Sequence, residues 1–86
     1  MIIKLSKFGT TLVSRQAGRE AWAAFQPALQ SVGLKENIEV SFDEVLTLSP
    51  SWADEFITLL KKEYGSRVVL RASGNPSVKA TLDILE

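Results

Sequence analysis

The first fifteen residues alternate between short apolar segments and turn residues. The apolar segment 2–5 is typical of a strand, and Phe8-Gly9 is typical of a turn. Three of the four residues at 10–13 are β-branched, which favours a second strand. The two strands are expected to pair as an N-terminal hairpin.

After this segment the hydrophobic period changes to three and four residues, which predicts an amphipathic helix from Gln16. Its apolar stripe consists of Ala21, Trp22, Phe25, Ala28, Leu29 and Val32. Ser14 is a candidate cap at its start, and Gly33 a candidate left-handed cap at its end. Pro27 predicts a kink, or a split into two short helices, because proline lacks an N–H and clashes with the carbonyl four residues earlier.

A strict alternation follows, in which Ile38, Val40 and Phe42 are separated by polar residues. This pattern is typical of a strand with one buried and one solvated face. It favours a two-layer domain with helices mainly on one side of the sheet. The apolar run at 68–70 predicts the last strand.

Two segments have the composition of helix starts. Ser49-Pro50-Ser51 combines a capping serine with a proline at the first helical position, and Asn75-Pro76 repeats the arrangement. Asp54 and Glu55 then complement the positive end of the helix dipole. Gly65 is expected to end the helix that begins at Ser49.

The predicted order of elements is β-β-α-β-α-β-α. Alternating strands and helices indicate parallel pairing in the core with right-handed crossovers. The N-terminal hairpin adds an antiparallel strand. The sequence therefore predicts a single α/β domain over residues 1–86, with a mixed four-stranded sheet and helices mainly on one face.

Composition narrows the chemistry available to this domain. The chain has no His and no Cys, which excludes a Cys/His zinc site, a Cys nucleophile and a His base. We therefore expect a protein that is not an enzyme and has no metal or cofactor. Ten basic and ten acidic residues leave no positive surplus for nucleic acid.

The charges are unevenly distributed along the chain. Residues 36–55 contain six acidic residues and no basic one. This segment suits a basic partner surface, although chance clustering around a strand and a helix start explains it equally well. No apolar run approaches a membrane span, and the first residues lack the layout of a signal peptide, so a cytoplasmic location without membrane contact is expected.

Ser51 is the most distinctive candidate for a functional residue. It falls on the polar face of the helix predicted from Ser49, in a crevice position where α/β sheets often bind ligands. One interpretation is a phosphorylatable serine; the simpler one is that Ser49 is only a cap and Ser51 only an exposed helix residue. Alternatively, Arg15, Ser49 and Asn75 bind a small anion or nucleotide at the helix starts.

The chain also resembles the STAS-like domains of bacteria and their phages, a family of unknown function similar to sulfate-transporter and anti-sigma-factor-antagonist domains. The resemblance rests on Ser14-Arg15, Phe42, Val45 and the run Ser-Pro-Ser-Trp-Ala-Asp-Glu at 49–55, and it covers almost the whole chain. Ser41 departs from the family pattern, which has Asp before the Phe. Trp52 replaces the common Phe.

The resemblance implies a regulatory protein-interaction module. Anti-sigma-factor antagonists are phosphorylated on a serine at the start of the corresponding helix, which by position is Ser51. The implied partner is a histidine-kinase-type ATPase or an anti-sigma-like kinase, which would contact Ser49, Ser51, Trp52, Asp54 and Glu55.

Overall fold

Short β-branched and apolar segments form five strands in the computed structural model, which describes residues 1–85. The strands are β1 (Ile2–Lys4), β2 (Thr11–Leu12), β3 (Ile38–Ser41), β4 (Thr47–Leu48) and β5 (Val68–Leu70). The first helix spans Arg15–Leu29 and the last helix Pro76–Leu85. Between them, the segments Pro50–Ala53, Asp54–Thr58 and Leu59–Tyr64 follow one another without a break and form the central helix.

The strands form two small parallel sheets, in a domain of the α/β class. The larger sheet has the order β1-β3-β5, and β2 pairs with β4 in the smaller one. The predicted N-terminal hairpin is wrong, and the mixed four-stranded sheet is not observed. The 3-10 turn Leu5–Phe8 separates β1 from β2, because it buries Leu5 in the core instead of reversing the chain.

One face of the larger sheet supports the core. Ile3, Val40 and Leu70 are register partners on that face, and the first two are almost fully buried. Their neighbours Ile2 and Val69 are 50% and 42% exposed on the opposite face. This is the one-sided burial that the alternation at 38–43 predicts, except at Ser41, which is expected to be solvated and is only 1% exposed.

The helix boundaries follow the sequence in most places. Ser14 accepts a hydrogen bond from the Ala17 N–H, and Gly65 ends the central helix with φ 57°, a conformation that favours glycine. The first helix is not split at Pro27 but continues through it as one helix. The prediction that it ends at Gly33 is wrong, because it ends at Leu29.

Candidate functional site

The start of the central helix has the capped form expected from its sequence. The Ser49 backbone is extended, and its hydroxyl oxygen accepts a hydrogen bond from the Trp52 N–H at 3.2 Å. Pro50 occupies the first helical turn, where its missing N–H costs nothing. Ser51 follows on this turn and is half-buried.

Trp52 lies beneath this helix start rather than on its surface. Its side chain is 1% exposed and stacks on Phe56, with ring centroids 5.2 Å apart. Phe8 contacts both rings from the opposite side of the core. Trp52 therefore cannot belong to the predicted contact surface; it holds the helix start in place by packing, because a large aromatic ring buries more apolar area than any other side chain here.

Four charged side chains bridge the first helix to the central helix. Arg15 Nη1 lies 3.0 Å from Asp54 Oδ2 and 3.0 Å from Glu55 Oε1. Arg19 Nη2 adds a longer contact of 3.6 Å to Glu55. The two adjacent carboxylates therefore contact the same guanidinium nitrogen. The sequence predicts only that Asp54 and Glu55 complement the helix dipole, and it does not predict this contact with Arg15.

These contacts change the acidity of the groups involved. Hydrogen bonds from Arg15, and secondarily from Thr58, lower the pKa of Asp54 below its usual value. The pKa of Arg15 is raised, first by its hydrogen bond to Asp54 and then by that to Glu55. Arg15 and Asp54 are both solvent-exposed, so this ion pair lies at the surface of the domain.

Gly18 allows the two helices to approach closely enough for these ion pairs. A Cβ at this position would lie 2.6 Å from the Trp52 carbonyl oxygen and 3.0 Å from the Trp52 Cα. Any larger residue would have to push the backbones apart. The sequence interpretation missed Gly18; its only signal is a glycine inside a helical stretch, which otherwise costs stability relative to alanine.

A π-helical segment, Asp54–Thr58, carries the two acidic residues. Such segments widen the helix locally and often occur at functional sites. Nothing in the local sequence predicts it, since all of these residues are compatible with an ordinary α-helix.

The groups of the alternative anion site are already engaged. Arg15 pairs with two carboxylates, and the Ser49 oxygen caps its own helix. The Asn75 side-chain oxygen accepts from the Ser77 and Val78 N–H groups, while its Nδ2 donates to the Val45 and Leu46 carbonyls. A small anion would have to displace these bonds.

No protein-family model, curated protein or solved structure matches the chain. Within residues 1–85, His, Cys, Asp and Glu form no group of three that could hold a metal ion. In the same part of the chain, no helix is long and apolar enough to cross a membrane. The site is therefore interpreted from its own geometry.

Proposed function

We propose that this protein is a small regulatory protein-interaction module of the STAS-like type, with the start of the central helix as its docking surface and Ser51 as its switch. The observation that carries this proposal is the state of the Ser51 hydroxyl. Among the described residues, it forms no hydrogen bond, whereas Ser49, Asn75 and Ser77 all use their side chains in capping or tertiary bonds. A hydroxyl with no structural task is available for modification.

The surface around Ser51 suits a partner that carries basic groups. Ser51, Asp54 and Glu55 are three and four residues apart, a spacing that places helical side chains on one face. Arg15 neutralises part of this acidic surface, so it presents an ordered mixed-charge cluster rather than a bare acidic patch. Ser49 and Trp52 support the surface from within the fold.

Phosphorylation of Ser51 would alter this surface without removing any bond that holds the fold. A phosphate adds about −1.5 to −2 charges at neutral pH. It would gain from the helix N-terminus and from the guanidinium of Arg15, and it would repel Asp54 and Glu55. The net result is a changed docking surface on an intact domain.

The proposed partner is a histidine-kinase-type ATPase that binds this surface and phosphorylates Ser51. The alternative function, a sensor of small anions or nucleotides, takes second place because the side chains that would bind the anion are already hydrogen-bonded or ion-paired.

The test combines binding and modification. A histidine-kinase-type ATPase, where one is encoded beside this chain, is mixed with wild type, Ser51→Asp and Ser66→Asp, and complexes are measured by fluorescence anisotropy. Ser66 is exposed just beyond the central helix, so its variant controls for added charge. We expect Ser51→Asp to abolish binding, Ser66→Asp to bind normally, and both to keep wild-type circular dichroism.

Mass spectrometry after incubation with ATP should place the phosphate on Ser51. Equal binding by wild type and Ser51→Asp, or an unmodified Ser51, would count against the proposal. A rise in melting temperature with inorganic phosphate or nucleotide, lost in Arg15→Gln, would support the sensor instead.

A further inference from the structure

The strand β5 forms an open edge of the larger sheet. It pairs with β3 on one side, where the Arg71 N–H donates to the Val40 carbonyl. Because backbone groups point alternately to the two sides of a strand, the N–H and carbonyl of Leu70 point away from β3. Within residues 1–85 no strand lies on that side. The Val68 N–H donates to the Gly65 carbonyl, so Leu70 supplies the free backbone donor and acceptor on this edge. An unpaired strand edge is a template for an added strand.

A cavity of about 150 Å³ opens beside this edge. It is lined by Ile57, Thr58, Lys61, Leu70, Leu82 and Leu85, which come from the central helix, β5 and the last helix. A cavity of about this volume has room for a group the size of a benzene ring. Leu70 belongs to both features, so a chain bonded to the edge at Leu70 would lie next to the cavity.

The charges around β5 are mainly basic. Between residues 56 and 71 the only acid is Glu63, and the bases are Lys61, Lys62, Arg67 and Arg71. Arg71 forms an exposed ion pair with Glu39 of β3 at 3.4 Å, so the bases without a carboxylate partner among the described ion pairs are the other three. The Arg67 guanidinium donates to the carbonyls of Gly33 and Glu36 rather than to a carboxylate, so its charge is not cancelled by these bonds. Lys61 is exposed and is one of the residues that line the cavity.

From these features we propose a second docking site, at which an extended acidic segment of a partner protein adds to the free edge of β5 and inserts one apolar side chain into the cavity. Main-chain bonds to Leu70 supply affinity, and the cavity and basic residues supply specificity, as in other cases of strand addition. This site is separate from the Ser51 surface and does not rest on the function proposed for it.

The same charges argue against a second copy of this chain as the occupant. A two-fold pair of β5 strands must be antiparallel, and centred on Val69 it places Arg67 of one copy opposite Arg71 of the other. Like charges directly opposite each other destabilise strand pairing. An acidic segment instead meets the positive charges of Lys61 and Arg67 favourably.

The probe for this site is a fluorescein-labelled hexapeptide of alternating glutamate and leucine, acetylated and amidated, with a lysine–leucine peptide as its control. Binding is measured by anisotropy, and exchange of the Leu70 amide hydrogen by NMR. We expect the acidic peptide to bind about tenfold more tightly than the basic one and to slow Leu70 exchange. Lys61→Glu should weaken binding roughly fivefold.

Lys4→Glu is the matched control, because Lys4 is exposed on the opposite edge strand, β1. It should leave binding unchanged, as should Ser51→Asp, which separates this site from the proposed switch. Equal binding of the two peptides, or Leu70 exchange that does not change at saturation, would overturn the proposal. So would a concentration-dependent dimer that protects Leu70 without peptide, since the occupant would then be a second copy.

Discussion

The two proline-containing helix starts have nearly the same local sequence and different surroundings. Residues 49–52 read Ser-Pro-Ser-Trp, and residues 75–78 read Asn-Pro-Ser-Val. In both, the first residue caps the helix, proline occupies the first turn and the fourth residue is buried. The local sequence therefore produces the same local structure twice.

The two helix starts differ in the hydrogen bonds of their third residues, Ser51 and Ser77. The Ser77 hydroxyl accepts from the Leu48 N–H and donates to the Leu48 carbonyl, so it fastens the last helix to β4. The Ser51 hydroxyl forms no such bond among the described residues. The comparison teaches that a serine in the same helical position is structural or available according to its tertiary neighbour.

The largest difference should appear when each cap is removed. Asn75→Ala loses a cap and two bonds to the carbonyls of Val45 and Leu46, which should cost about 3 kcal/mol of unfolding free energy. Ser49→Ala loses one capping bond and should cost about 1 kcal/mol. Urea unfolding of both variants measures the difference. Equal losses of unfolding free energy would mean that the bonds from Asn75 to the Val45 and Leu46 carbonyls do not stabilise the fold.

The next difference concerns the two serines themselves. Ser77→Ala leaves the Leu48 N–H without its partner and should cost about 2 kcal/mol. Ser51→Ala removes no bond and should stay within about 0.5 kcal/mol of wild type. Thermal unfolding under identical conditions decides this. A comparable loss for Ser51→Ala would show that its hydroxyl has a structural task after all.

The smallest expected difference between the two helix starts is in how their contributions to the unfolding free energy depend on pH. Arg15 lowers the pKa of Asp54, so this ion pair stabilises the folded state above the ordinary pKa of 3.8, and its contribution is lost as the pH falls through the lowered value. The stability difference between wild type and Arg15→Gln should therefore shrink from neutral pH to about pH 2. The loss in Asn75→Ala should not follow this curve, because residues 75–78 contain no ionisable side chain.

Urea titrations of the three proteins across this range provide the measurement. A difference between wild type and Arg15→Gln that stays constant with pH would contradict the assignment of Asp54 as the partner of Arg15.

Sequence patterns located the helices and their N-terminal caps. The helix predicted from Ser49 is present, and it buries Trp52, Phe56, Ile57 and Leu60. These features depend on residues within a few positions of one another, where periodicity and capping chemistry act directly.

Parallel pairing in the core is confirmed, but the hairpin predicted between β1 and β2 is wrong. The strands have two to four residues each, which is too short for their pattern to specify a partner or a register. The strand β4 was missed for the same reason. The pairing of β1 with β3 depends on the intervening chain folding as a helix. The residues of the two strands do not by themselves indicate this pairing.

The sequence by itself determined where the helices begin, which faces they bury and that Ser51 lies on a polar helix turn, because these depend on contacts within a turn or two. Only the tertiary structure decided that Arg15 joins Asp54 to Glu55, that Gly18 lets the two helices touch, and that Ser77 is occupied while Ser51 is not. Those outcomes depend on which distant segments meet.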